Sequence, residues 1–141
     1  MKRIVNFVLV AALLLLALSA MVSCNTNDGA DLWENATYKT DTELGTGAKT
    51  VKVEVKADDK SVTFTIRTDK TILGDALTEH GLVDGEQGDF GLYVKVVNGI
   101  VADYDVDQSY WGFYKNGEYM MSGVDSTEFA DGDHYELVYT K

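Results

Sequence analysis

Apolar and polar residues alternate along two neighbouring stretches near the middle of the chain. Residues 50–56 and residues 61–68 each place an apolar side chain at every second position, between charged or hydroxyl-bearing ones. This period of two is typical of strands with one buried face. The four residues between the stretches, Ala57-Asp58-Asp59-Lys60, suit a turn, so we predict an antiparallel hairpin.

The period changes to that of a helix after this hairpin. Residues 72–80 carry apolar side chains at helical spacing, with Asp69 or Thr71 as the N-cap and Gly81 as the C-terminal stop. Leu82 is then placed to contact Leu77, as in a Schellman ending. We predict one helix of about three turns.

The rest of the chain returns to strands and turns. We predict a polar loop over 84–89, strands over 90–97 and 134–140, and turns at 98–99 and 131–133. A lone helix packed on a small mixed or antiparallel sheet is an α+β arrangement, and the order of elements is β-grasp-like.

An aromatic hairpin precedes the last of these turns. Residues 110–121 read YWGFYKNGEYMM, and the Asn-Gly pair at their centre predicts a type I′ turn, which needs positive φ at both positions. Because side chains alternate between the faces of a strand, Trp111 and Phe113 share one face and Tyr110 and Tyr114 share the other. We expect Trp111 and Phe113 to face the core, because a tyrosine hydroxyl is readily satisfied by water.

These four aromatic residues are the candidate site for a ligand or a partner protein. Tyr and Trp are favoured at such surfaces because they combine a large apolar area with a polar tip. The alternative is that both faces pack inside the fold, as aromatic residues at strand spacing commonly do.

The N-terminal residues look like a secretory signal. Lys2 and Arg3 precede an apolar run over 4–20, and Cys24, the only cysteine in the chain, follows small residues at its end. The stretch resembles a bacterial lipobox, so we predict a lipoprotein signal peptide over 1–23 and lipidation of Cys24. The alternative is an uncleaved membrane anchor. The prediction places the protein on the extracellular face of the cell membrane, with the membrane as a partner through the lipid.

Residues 24–48 are rich in Asn, Thr, Asp and Gly and are predicted to be a tether. Trp33 and Tyr38 are unusual in a linker, so we expect residues 32–38 to pack onto the domain, which would begin at residue 49.

The net charge and the acidic motif argue against two kinds of binding site, one for nucleic acid and one of the EF-hand type. The net charge of −11 argues against nucleic acid as a partner, because such sites need basic patches. The spacing of Asp103, Asp105 and Asp107 matches the start of an EF-hand calcium loop. The positions where an EF-hand needs Gly and Glu, however, hold Gln108 and Tyr114. A looser calcium site and a solvated acidic loop both stay open over 103–107.

No catalytic site is predicted. His80 and His134, the only histidines, have no neighbouring motif that would make them metal ligands or bases. Nucleophile elbow, phosphate loop and HExxH patterns are missing from the sequence. We therefore expect a protein that is not an enzyme, without a catalytic residue, a cofactor or a metal.

The motifs taken together resemble the transcobalamin-like C-terminal domain family over about residues 49–141. The residues that carry the resemblance are Ile72–Leu77, Asn98-Gly99-Ile100, Trp111–Glu118, Gly123 and Asp131-Gly132-Asp133. The resemblance implies a β-grasp-like domain of the kind found on bacterial surface proteins. In the animal cobalamin carriers a related domain covers one side of a corrinoid while a helical barrel holds the other, and this chain has no such barrel.

Three functions follow from these observations. The first is a lipid-anchored, extracellular binding or interaction module that is not an enzyme. The second is a carrier for a small molecule such as cobalamin or a related corrinoid, or an accessory to an uptake system. The third is a structural surface domain. For the first two, Tyr110, Trp111, Phe113 and Tyr114 are the positions of interest.

Overall fold

The computed structural model of the chain describes residues 31–141. The predicted signal peptide over 1–23, the lipidation site at Cys24 and the first part of the predicted tether lie outside the described residues. Between Asp31 and Lys141, the structure contains no helix with the length and apolar character needed to cross a membrane.

The first predicted hairpin is confirmed, with strands β2 at Lys49–Ala57 and β3 at Lys60–Thr68. They pair antiparallel, and Val53 lies opposite Phe64. A short strand that was not predicted, β1 at Thr42–Leu44, runs parallel to β3. The alternation works as expected, because the apolar side chains of β2 and β3 are all buried on one face.

This hairpin belongs to a six-stranded mixed sheet, the large sheet. Its other strands are β7 at Tyr110–Lys115, β8 at Glu118–Tyr119 and β9 at His134–Thr140. The strand order is β1-β3-β2-β9-β7-β8. Strand β9 lies in the middle, parallel to β2 and antiparallel to β7.

A second, three-stranded antiparallel sheet, the small sheet, contains β4 at Val83–Gly88, β5 at Gly91–Val97 and β6 at Ile100–Val101. The predicted loop over 84–89 is therefore wrong for most of its length. The sequence does not predict β4 because it is an edge strand. Its residues after Val83 are polar or glycine and mostly exposed, so it shows no apolar alternation.

Helix α1 at Leu73–Glu79 is two turns long, shorter than the predicted three. It also begins without a side-chain cap, so neither Asp69 nor Thr71 caps it. The predicted ending is confirmed: Gly81 has φ +65°, and the Leu82 amide donates to the Leu77 carbonyl at 3.0 Å.

A single-turn helix, α2 at Tyr104–Asp107, replaces the acidic loop predicted over 103–107. Two 3₁₀ turns lie at Leu32–Asn35 and Val124–Ser126.

The segment before β1 packs against the domain. Trp33 is buried, and its indole N–H donates to the Ala57 carbonyl at the end of β2 at 2.9 Å. Further along, Asn98 in the β5–β6 turn holds the backbone of Tyr38 with both ends of its amide: Oδ1 accepts from the Tyr38 N–H at 2.9 Å, and Nδ2 donates to the Tyr38 carbonyl at 2.8 Å.

One apolar core joins both sheets and α1. Its members come from β2, β3, β7 and β9 of the large sheet, from the small sheet and from the inner side of the helix. The largest fully buried side chains are Phe64, Ile66, Leu73, Leu77, Ile100, Tyr135 and Leu137. The architecture is α+β, as predicted, but the described part of the chain has two sheets rather than one sheet under a lone helix.

Candidate functional site

The turn of the aromatic hairpin has the predicted geometry. Asn116 has φ +48° and Gly117 has φ +82°, the two positive values that a type I′ turn requires. The Gly117 amide donates to Oε1 of Glu136 on the neighbouring strand β9 at 2.9 Å. The turn is thus fixed both by its own backbone and by the sheet beside it.

The inner face of the hairpin is buried, as predicted. Trp111 is 8% exposed and packs edge-on against Tyr139, with 5.7 Å between ring centroids. Phe113 is 9% exposed and stacks on Tyr135 at 5.6 Å. Because these partners lie opposite or next to them across the β7–β9 ladder, both rings are held in fixed positions on the sheet.

The outer face of the hairpin is partly exposed, also as predicted. Tyr110 is 38% exposed, and Tyr114 is half-buried. The Tyr114 ring lies over Gly112, where a Cβ would come within 2.9 Å of it, and meets Tyr119 edge-on at 5.5 Å. The four candidate residues are therefore divided between two opposite faces of β7, and they do not form a single site.

An apolar cleft of about 260 Å³ lies between the two sheets, next to Trp111 and Phe113. Strand β5 of the small sheet supplies one wall and strands β7 and β9 supply the other, while the segment after β8 closes one side. Its lining residues are Leu92, Tyr93, Val94, Trp111, Phe113, Tyr119, Met120, Met121, Ser122, Gly123, Val124 and Leu137. We call this the inter-sheet cleft.

A second hollow of about 510 Å³ adjoins the cleft and shares Met121, Ser122 and Gly123 with it. It also contains Phe90, which is 96% exposed, while Met121 is 94% exposed. Neither residue can be recognised as a candidate from the sequence, because a lone apolar residue beside a turn gives no sign of whether it is buried.

A larger open depression, of about 630 Å³, lies beside the first 3₁₀ turn. Most of its lining is charged or polar, and Asp31 and Lys60 form an ion pair there at 3.1 Å. Five of its seven lining residues are charged or polar, whereas most of the residues that line the inter-sheet cleft are apolar. We therefore take the inter-sheet cleft as the candidate site.

Charged groups brace the strands on which the cleft is built. Lys115 pairs with Asp133 at 3.0 Å, and Tyr135 donates to the same carboxylate at 3.1 Å. Burial acts to raise the pKa of Asp133, but the Ala130 amide, Lys115 and Tyr135 outweigh it and lower the pKa overall. Burial, followed by the bond to Asp133, raises the pKa of Tyr135.

Two of the three aspartates that the sequence places in the acidic segment, Asp103 and Asp107, are engaged within the fold through their carboxylates. Asp103 caps α2 through the Asp105 amide and lies 3.8 Å from Lys95, while Asp107 accepts from Ser109 and pairs with Lys141 at 3.1 Å. The hydrogen bond from Ser109, followed by that from Lys141, lowers the pKa of Asp107. The carboxylates of Asp103 and Asp107 therefore serve contacts within the fold.

The two histidines lie apart from the cleft. His80 packs against Gly45, and His134 Nε2 lies 3.8 Å from a Glu54 oxygen on the large sheet. Within residues 31–141, no group of three or more His, Cys, Asp or Glu side chains is arranged to hold a metal ion.

Residues 69–141, from just before α1 to the end of β9, match the family described as "Domain of unknown function (DUF4430)". The chain belongs to this family. The matched residues include the whole small sheet, the aromatic hairpin and the inter-sheet cleft. No curated protein matches the chain.

Two solved structures are similar to this member of the DUF4430 family. One is described as a "putative metal binding protein from Ruminococcus gnavus"; it is 36% identical, covers 67% of this chain and 98% of its own, and has a TM-score of 0.63. The other is haptocorrin in complex with Cbi, 18% identical, with a TM-score of 0.50 over 70% of this chain and 26% of haptocorrin. The second likeness concerns the fold alone.

Proposed function

We propose that this protein is a binding module, not an enzyme, that holds a small and mainly apolar molecule in the inter-sheet cleft. The observation that carries the proposal is the cleft itself, which has Trp111 and Phe113 in one wall and Leu92 and Val94 in the other. Ligand sites are concave, mostly apolar and commonly placed where two structural units meet. The inter-sheet cleft lies where the two sheets meet, and most of the residues that line it are apolar.

The walls of the cleft differ in rigidity, which suits a binding site. Trp111 and Phe113 are fixed by their ring contacts with β9, so this wall exists before any ligand arrives. The segment after β8 contributes Met120 and Met121, and the unbranched methionine side chain adapts readily to different shapes. The preformed aromatic wall lowers the entropy that is lost when a ligand binds, and the methionines let one side of the cleft adapt to the shape of the ligand.

The proposal includes a location. The signal layout and Cys24 support a lipid-anchored protein on the extracellular face of the membrane. A ligand held there would come from outside the cell. The net charge of −11 suits a domain exposed to solvent.

A second candidate is a carrier for cobalamin or a related corrinoid, or an accessory to an uptake system for it. Its support is the resemblance of the hairpin motifs to the transcobalamin-like family and the likeness of fold to haptocorrin. A cleft of about 260 Å³ would accommodate only an edge of such a large compound, so most of the contact would fall on the adjoining hollow. A structural surface domain without a ligand is the third candidate.

Gly123 allows a direct test, because it lines the cleft and has open space where a Cβ would lie. Its φ of −77° suits any residue, so Gly123→Phe would add a large ring at the edge of the cleft without straining the backbone. We would titrate the full-length protein with the neutral fluorophore N-phenyl-1-naphthylamine. We expect saturable binding that Gly123→Phe weakens by about tenfold or more, equivalent to ~1.4 kcal/mol.

Tyr110→Ser is the matched control, because Tyr110 lies on the opposite face of the same hairpin and should leave probe binding unchanged. Displacement of the probe by dicyanocobinamide would favour the corrinoid carrier. Equal affinity for the probe in the wild type and in Gly123→Phe would contradict binding in the cleft. No saturable binding by either compound would favour the structural domain.

A further inference from the structure

Phe90 and Met121 form an exposed apolar pair at one end of the molecule. Phe90 lies in the two-residue turn between β4 and β5, and Met121 is the second residue after β8. They come from different sheets but line the same hollow, so they are spatial neighbours. We call them the Phe90–Met121 pair.

The pair contributes almost nothing to the folded core. At 96% and 94% exposure, both side chains keep nearly all of their surface in water. A single exposed apolar residue is ordinary, but two large neighbouring ones are typical of an interaction surface. The pair therefore calls for an explanation outside the domain's own packing.

The base beneath the pair is rigid, because Asp125 ties it together. The Leu92 amide at the start of β5 donates to Asp125 Oδ2 at 3.0 Å. A Cβ at Gly74 would lie 2.1 Å from Asp125 Oδ1, and one at Gly91, where φ is +97°, would lie 3.0 Å from Asp125 Cβ. The carboxylate thus fits between α1 and β5 only because both neighbours are glycines. The turn that carries Phe90 is held in place by this packing.

The form and charge of the surface indicate the kind of partner. Small molecules are bound in concave sites, whereas these two side chains project into solvent and suit the complementary surface of a protein. The hollow at its foot is lined by Asp89 and Asp125 and by no lysine or arginine. We infer that the Phe90–Met121 pair inserts into an apolar socket on a protein partner, and that basic side chains surround this socket.

A membrane surface fits these observations less well. The cytoplasmic and bacterial leaflets that attract proteins electrostatically are anionic and favour lysine and arginine. Here two aspartates adjoin the apolar pair, in a chain with a net charge of −11. The inference shares Met121 with the proposed ligand site, but it requires no molecule between the sheets.

The test is a selection from a random peptide display library on the immobilised full-length protein. Binders are counter-selected on a variant with Phe90→Ser and Met121→Ser. We expect peptides that combine Lys or Arg with aromatic or aliphatic residues, and that lose about tenfold or more in affinity on the double variant. Their affinity should also fall as salt rises from about 0.05 M to about 0.5 M.

Val106→Ser is the matched control, because Val106 is 81% exposed on α2 but does not line the hollow. It should leave peptide binding unchanged. Binders that are neutral or acidic, binders equally weakened by Val106→Ser, or no binder that depends on the pair would each overturn the inference. Sedimentation of the wild type, but not of the double variant, with phosphatidylcholine vesicles would assign the pair to a lipid surface and overturn it as well.

Discussion

Asn98 gives the sharpest test of how the N-terminal segment is attached to the domain. It is fully buried, has φ +51°, and forms both hydrogen bonds to the Tyr38 backbone described above. Its own carbonyl also accepts from the Thr37 amide at 2.9 Å. We consider Asn98→Gly, because glycine keeps the positive φ at no cost and removes only the side-chain amide.

The expected loss follows from those two bonds. Each is worth about 0.5–1.5 kcal/mol net, and the half-buried Tyr38 N–H and carbonyl would then lack a protein partner. We therefore expect Asn98→Gly to lower the free energy of unfolding by about 2–4 kcal/mol. Asn116→Gly is the matched control: Asn116 occupies the same position of the other Asn-Gly turn, with φ +48°, but it is exposed. We expect that change to stay within about 0.5 kcal/mol.

Urea unfolding followed by tryptophan fluorescence would measure both variants, with the m-value showing whether unfolding stays two-state. Amide hydrogen exchange at Tyr38 gives a local readout, because its protection should fall in Asn98→Gly and persist in Asn116→Gly. If both variants lost the same stability and the Tyr38 amide stayed protected in both, the Asn98 amide would not be what attaches this segment.

Three further changes test other parts of the structure. Phe113→Ala should lower the free energy of unfolding by about 3 kcal/mol in a denaturant melt, and Tyr110→Ala by about 1 kcal/mol or less, because only Phe113 is buried. Equal losses for the two variants would refute the assignment of the hairpin's faces. The hydrogen bond from Lys56 lowers the pKa of Glu136 below its ordinary value of 4.5, so stability from this pair is full above that pH and lost as pH falls through the folded pKa. Glu136→Gln should therefore show a shallower loss of stability below about pH 4.5 in urea melts, and an unchanged slope would contradict the coupling. Cys24→Ala should prevent incorporation of a fatty-acid analogue, and normal labelling of that variant would exclude Cys24 as the lipidation site.

Local sequence rules predicted the elements that bury one face. Strand β9 was predicted over its full length, and β2 and β3 to within a residue at each end, because half-buried strands impose a period of two. The Asn-Gly pairs predicted two turns for the same local reason. Strand β4 was missed because backbone pairing with β5 holds it in the sheet, and this pairing leaves no pattern in its mostly exposed side chains.

The candidate site could be predicted only in part. The aromatic hairpin was evident from sequence, and so was the division of its faces. The cleft was not, because it exists only where Leu92 and Val94 of one sheet approach Trp111 and Phe113 of the other. The role of Asn98 was hidden in the same way: as a turn residue it looks like Asn116, and only the fold brings Tyr38 within its reach.

The central position of β9 has a consequence for how the protein acquires its structure. In the large sheet, β1, β2 and β3 lie on one side of β9, and β7 and β8 lie on the other. No strand of the first group pairs with a strand of the second, so β9 alone connects them. A nascent or clipped chain that stops before His134 would have two sheet fragments with unpaired edges facing one another, which is a condition that favours aggregation. The large sheet therefore cannot be completed until β9 has been synthesised. The long-range parallel pairing of β9 with β2 is also slow to form.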